Sequence, residues 1–207
     1  MKTFARYMLA SLLAAPGALR LHVAVAQETP QGAPTLYSVE SVKAAFLYRF
    51  LEYVEWPIDA PSEGPLTIAV LGDENLTQEL QRNVRGRLAH GRGVRARAVQ
   101  TMQEGLDAQV LFVSAQSKKK LSAVGREHNS DPVLIVTEGE GGLDAGSVIN
   151  FIVIDGNVRF EVSLPAAEQR GLKLSSRLLN VALRVEKSGR RLDDPATEDD
   201  DPYLVTR

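Results

Sequence analysis

Ser147 to Ser163, SVINFIVIDGNVRFEVS, constrains the chain more than any other stretch. Two runs of alternating residues flank Asp155-Gly156, a pair that favours the tight two-residue turn of a β-hairpin. Centring the turn there pairs Ile154 with Asn157, Ile152 with Arg159 and Asn150 with Glu161. One face then carries Ile149, Phe151, Val153, Val158, Phe160 and Val162. The other carries Asn150, Ile152, Ile154, Asn157, Arg159 and Glu161. A slip of one residue would destroy this sorting, so the pattern predicts the register as well as the hairpin.

Upstream, VKAAFLYRFLEYVEWP (Val42 to Pro57) places Val39, Val42, Phe46, Phe50 and Tyr53 at helical spacing behind a candidate N-cap, Ser38. Trp56-Pro57 is expected to stop the helix. Lys43, Arg49, Glu52 and Glu55 interrupt the run, and charge within a bilayer span is costly, so this is not a transmembrane segment. The aromatic face is expected to pack on a sheet. Between helix and hairpin, strands are expected at Leu66–Leu71, Gly93–Val99, Gln109–Val113 and Pro132–Val136, with helices at Asn75–Val84 and Lys118–Glu127. The alternation predicts an α/β fold: one three-layer sandwich, with a mixed, mostly parallel sheet, a C-terminal antiparallel hairpin and helices on both faces. A short helix, Pro165–Arg170, stopped by Gly171, and a last helix from Ser175 or Ser176 to about Val185 complete the prediction.

The ends read differently. Residues 1–26 have the form of a signal peptide, with Lys2 and Arg6, an apolar run from Tyr7 to Leu19, and Ala24-Val25-Ala26 as the cleavage signal. Export to a periplasm is the expected destination. Residues 27–37 form a polar leader, 38–187 the folded domain, and 188–207 an acidic tail expected to be disordered. Taking residues 1–26 away removes Lys2, Arg6 and Arg20 from 24 basic residues and none of the 26 acidic ones, leaving a formal charge of −5. That balance argues against nonspecific nucleic-acid binding. About 180 remaining residues suit one domain with a full core. The absence of cysteine excludes disulfides, thiol catalysis and thiolate metal sites.

Little in the sequence asks for catalysis. His90 and His128 stand in unrelated contexts, with no HExxH pattern, calcium loop or GxSxG. No metal, cofactor or enzymatic activity is expected. The glycine-rich EGEGGLDAGS, Glu138 to Ser147, lacks the Lys-Ser/Thr of a phosphate loop and reads as a connection between strands. Arg82, Arg85, Arg87, Arg92, Arg95 and Arg97 are either a charged edge strand protected from aggregation or a docking surface for an acidic partner or lipid headgroup. A second constellation joins the hairpin to the last helix. Asn150, Arg159 and Glu161 share a sheet face, and Lys173, Ser175, Ser176 and Arg177 surround a helix start. It reads either as an Arg159–Glu161 ion pair plus ordinary capping, or as a small-anion site.

Taken together, the signal-like start, VKAAFLYRFLEYVEWP, LTIAVLGD and INFIVIDGNVRFEVSLPAAEQRGLKLSSRLLNVA resemble the YfiR family over roughly Val39 to Val185. The resemblance implies a periplasmic regulator without catalysis, which docks on the periplasmic sensor region of an inner-membrane diguanylate cyclase and represses it. An OmpA-like outer-membrane lipoprotein relieves that repression. Other members look like accessories of sensor kinases or TonB-dependent receptors. It also implies a homodimer-forming α/β sandwich. The lack of cysteine departs from the disulfides of YfiR, and Arg49 stands where many relatives resemble FLYNF. The expected contact residues are Asn150, Arg159, Glu161, Ser175, Ser176 and Arg177. The alternative reading is a protein that binds a small anion or nucleotide.

Overall fold

Ser38 caps the first described helix. Its hydroxyl accepts from the Ser41 N–H at 3.1 Å, and α1 runs from Val39 to Tyr53. The computed structural model describes residues 37–57, 63–119 and 130–187. The expected signal peptide, the leader up to residue 36, the acidic tail and nearly all of the Lys118–Glu127 helix lie outside the described residues.

After α1, Val54–Glu55 (β1) leads on to β2 (Leu66–Leu71), α2 (Glu74–Asn83), β3 (Leu88–Ala89) and β4 (Arg92–Val99). Then come α3 (Met102–Gly105), β5 (Val110–Val113), β6 (Leu134–Glu138) and the hairpin β7 (Ile149–Ile154) and β8 (Asn157–Ser163). The chain closes with α4 (Leu164–Gln169), β9 (Lys173–Leu174), α5 (Ser176–Val181) and β10 (Arg184–Glu186). The main sheet has eight strands in the order β10-β8-β7-β6-β5-β2-β4-β3. It is parallel except at β7/β8 and β3/β4, and β1 pairs with β9 in a separate antiparallel ribbon.

The hairpin register is the one its pattern predicts: Ile154 opposite Asn157, Ile152 opposite Arg159, Asn150 opposite Glu161. Asp155 and Gly156 both have positive φ, 50° and 75°, as the two-residue turn requires.

Sheet residues alternate between two cores. Leu66, Ile68, Val70, Val110, Phe112, Leu134, Val136, Phe151 and Phe160 face α1 and α2. Ala69, Leu71, Leu111, Val113 and Ile135 face the opposite side with Met102 of α3. Strands buried on both faces read as continuous apolar runs, which is why β2 is LTIAVL. On the first face Phe50 stacks on Phe151, centroids 5.8 Å apart, and meets Phe160 edge-on at 5.3 Å. Phe46 touches Phe151 and Phe160 as well. Each such pair adds about 0.5–1.5 kcal/mol beyond area burial. Of the face its spacing predicts, only Phe50 is fully buried; Val39, Val42, Phe46 and Tyr53 are half-buried at its margin, and Ala44, Leu47 and Leu51 fill the centre of the contact.

Two boundaries and one strand position differ from expectation. α1 ends at Tyr53 rather than at Trp56-Pro57, because Val54 turns extended and pairs with Leu174. The last helix stops at Val181 instead of continuing to Val185. There the open edge of β8 competes with helix propensity: the Leu183 N–H donates to the Phe160 carbonyl, and β10 runs parallel to β8. The arginine strand β4 is next to the edge, with the two-residue β3 outside it.

Candidate functional site

Asn150 leaves β7 on the face away from α1 and is buried, with 2% exposure. Its Oδ1 accepts from the Thr137 hydroxyl at 2.9 Å. Its Nδ2 donates to the Gly139 carbonyl at 2.9 Å and to Glu161 Oε2 at 3.3 Å. Ser147 Oγ lies 2.8 Å from Thr137 Oγ1 and 2.9 Å from the Gly142 carbonyl. Gly142 is packed so tightly against Asn150 and Thr137 that a Cβ would overlap both. The glycine-rich segment is the connection between strands that its sequence suggests, folded onto these side chains. Its Gly139 and Gly142 carbonyls and Ser147 hydroxyl are committed inward, while Glu140 and Asp144 are exposed.

Glu161 also accepts from Arg184 Nε, at 2.8 Å. Arg184 stands directly across the β8/β10 ladder from Glu161, and this hydrogen bond raises its pKa above the ordinary arginine value. The partner of Glu161 is therefore Arg184, not Arg159. Arg159 is exposed on the same face and makes no ion pair among the described residues. The sequence reading missed Arg184 because it extended the last helix through it.

Ser175, Ser176 and Arg177 lie on the other side of the sheet. The Ser175 N–H donates to the Tyr53 carbonyl at 2.9 Å, which ties the start of α5 to the end of α1. Ser175 Oγ caps the Leu178 N–H at 3.4 Å. Ser176 and Arg177 are exposed. The sheet thus separates Ser175, Ser176 and Arg177 from Asn150, Arg159 and Glu161, and the six residues do not form one constellation. The helix start is closed by its own cap, in a helix of only six residues.

The α1 side offers a surface. A groove of about 330 Å³ runs between α1 and α5, lined by Phe46, Arg49, Tyr53, Phe160, Arg177 and Val181. A second, of about 350 Å³, continues past Phe46 and Arg49 to Tyr37, Val42, Ala45 and Asn83. Val181 is 65% exposed and Tyr37 74%. Arg49 pairs with Glu52 at 2.8 Å, and that hydrogen bond raises its pKa. The result is an apolar trough with arginines on its rim, a form suited to a partner that offers apolar side chains and a few carboxylates.

The arginine cluster is largely occupied within the molecule. Arg82 pairs with Glu79 and Arg97 with Asp107. Arg92 donates to the Glu63 and Gly64 carbonyls, and Arg95 to Thr67 Oγ1 at 2.8 Å. Arg87 lies 5.0 Å from the Tyr48 ring centroid. Arg85 remains, exposed. Among the described residues no cluster of His, Cys, Asp and Glu could hold a metal, and no helix is long and apolar enough to cross a membrane.

One solved structure shares the fold. A conserved domain protein from Vibrio cholerae O1 biovar El Tor is 11% identical with a TM-score of 0.51; the match covers 72% of this chain and 60% of that one. The ABC domain from Streptococcus pneumoniae, solved in complex with L-Trp, is 12% identical with a TM-score of 0.44, over 62% of this chain and 57% of that one. The second likeness is too low to carry any argument. No curated protein matches the sequence. The YfiR/HmsC-like family model, by contrast, matches residues 40–183, from the first turn of α1 to the residue before β10. The chain belongs to the YfiR/HmsC-like family.

Proposed function

We propose that this protein is a non-enzymatic periplasmic regulator that docks on the periplasmic sensor domain of an inner-membrane signalling protein, and that it represses a diguanylate cyclase. The observation that carries the reading is family membership across residues 40–183, which supports a periplasmic regulatory role in general. The mechanism is stoichiometric. A protein that binds only the inactive conformation of a sensor shifts its population by the differential affinity, with no chemistry required.

The α1–α5 trough is the docking face in this reading. It is apolar, open, and rimmed by Arg49 and Arg177, with Ser176 beside them. Arg159 lies on the opposite sheet face and serves as a secondary contact. Asn150 and Glu161 act behind it by holding the glycine-rich loop. An OmpA-like lipoprotein that competes for the trough would relieve repression, and homodimerisation through the same face would compete in turn.

The test is Arg177→Glu, a reversal at an exposed position that leaves the fold intact. Binding to the purified periplasmic sensor domain, followed by calorimetry, is expected to weaken about tenfold. Unchanged binding would remove the trough from the reading.

A further inference from the structure

The trough between α1 and α5, and the groove that continues it past Arg49, share one chemistry. Val42, Ala45, Phe46, Phe160 and Val181 give them an apolar floor. Among the described residues that line them, Arg49 and Arg177 are the only charged side chains. Arg49 is shared with Glu52. Arg177 is exposed and makes no ion pair among the described residues. An occupant must therefore bring apolar side chains and carboxylates side by side.

The chain itself carries such a segment. Residues 1–36, 58–62, 120–129 and 188–207 lie outside the described residues. The first three of these segments hold one acidic residue each, Glu28, Asp59 and Glu127. Residues 192–206, LDDPATEDDDPYLVT, hold Asp193, Asp194, Glu198, Asp199, Asp200 and Asp201, with no lysine or arginine among them. Tyr203, Leu204 and Val205 stand next to that acidic run.

Reach permits the contact. Lys187 is the last described residue of this part of the chain and follows Val181 of the trough wall by six positions, so the two are at most about 22 Å apart. Helix α1, along which the trough runs, is about 22 Å long. Residues 188–202 can span about 50 Å when extended, which brings Tyr203 to any point of the trough. Tethering also raises the local concentration of a segment to the order of millimolar, so a weak contact suffices.

We propose that residues 192–206 fold back into the trough of their own chain and compete there with the protein partner. Tyr203, Leu204 and Val205 lie on the apolar floor, and the carboxylates face Arg49 and Arg177. The contact stands on the trough and the tail alone; the competition rests on the docking reading above. A tail seated about nine-tenths of the time would weaken a competing partner about tenfold.

The chain has no cysteine, so a nitroxide on Thr206→Cys labels the full chain at one position. In ¹⁵N-labelled protein the amides of Phe46, Arg49, Arg177 and Val181 are expected to broaden, and those of Met102 and Gly142 across the sheet to stay sharp. Tyr203→Ser combined with Leu204→Ser should abolish the broadening. Ala196→Cys carries the label if Thr206→Cys disturbs the contact. The contact is overturned if the trough amides stay sharp with both labels, or if the broadening survives the serine changes. It is also overturned if nitroxide-labelled ¹⁴N protein broadens unlabelled ¹⁵N protein equally, which would make the occupant a second copy. Calorimetry with the sensor domain reads the competition. The serine variant should bind about tenfold more tightly than the parent, and equal binding overturns the competition. Absence of sensor binding by both proteins contradicts the docking reading instead, and the broadening still decides the contact.

Discussion

Asn150 shows how much one side chain can hold. Three hydrogen bonds run from it to Thr137, Gly139 and Glu161. Replacing it by alanine leaves the Gly139 carbonyl without its donor and takes one partner each from Thr137 and Glu161, a cost of about 2–3 kcal/mol. Urea unfolding of Asn150→Ala should show that loss as a lower midpoint with an unchanged slope. Arg184 is the contrast. It is 60% exposed, so its bond to Glu161 is screened by water and salt. Arg184→Ala should cost under about 1 kcal/mol in the same measurement, despite the good geometry of the pair. A loss as large as that of Asn150→Ala would mean that this ion pair, rather than the amide, holds the loop.

At the scale of elements, the aromatic seam between α1 and the hairpin carries the fold. Phe50 is fully buried between Phe151 and Phe160. Phe50→Ala should destabilise by about 3–5 kcal/mol, from lost transfer energy and the cavity left behind. Thermal or urea unfolding reads it directly, and a loss under about 1 kcal/mol would contradict the packing described. Phe50 and the hairpin register were legible in the sequence, but the helical spacing chosen in Val39–Tyr53 set the face to one side of Ala44, Leu47 and Leu51, which are fully buried. What stayed illegible were pairings between short distant segments. Val54–Glu55 has no strand signal by itself and is extended only because Leu174 lies opposite. Arg184–Glu186 looks helical in isolation and is drawn to the open edge of β8. The same error hid the candidate site. With the last helix drawn too long, Glu161 lacked its partner Arg184, and Arg159 seemed to be the nearest cation. Nor could spacing show that α5, tied to Tyr53, lies across the sheet from Asn150.

For the whole molecule, the eight-stranded sheet divides the labour. One face carries α1, α2 and the open trough, and the other is closed by α3 and the glycine-rich loop. The proposed repression needs no catalytic group. It needs an exposed face that prefers one state of its target, and a rigid scaffold behind it. The central claim is repression of a diguanylate cyclase, and cyclic-di-GMP in cells with and without the gene tests it most directly. Deletion should raise the level, and restoring the wild-type gene should bring it back down, whereas the Arg177→Glu gene should restore repression poorly. A level that does not move on deletion would contradict the account.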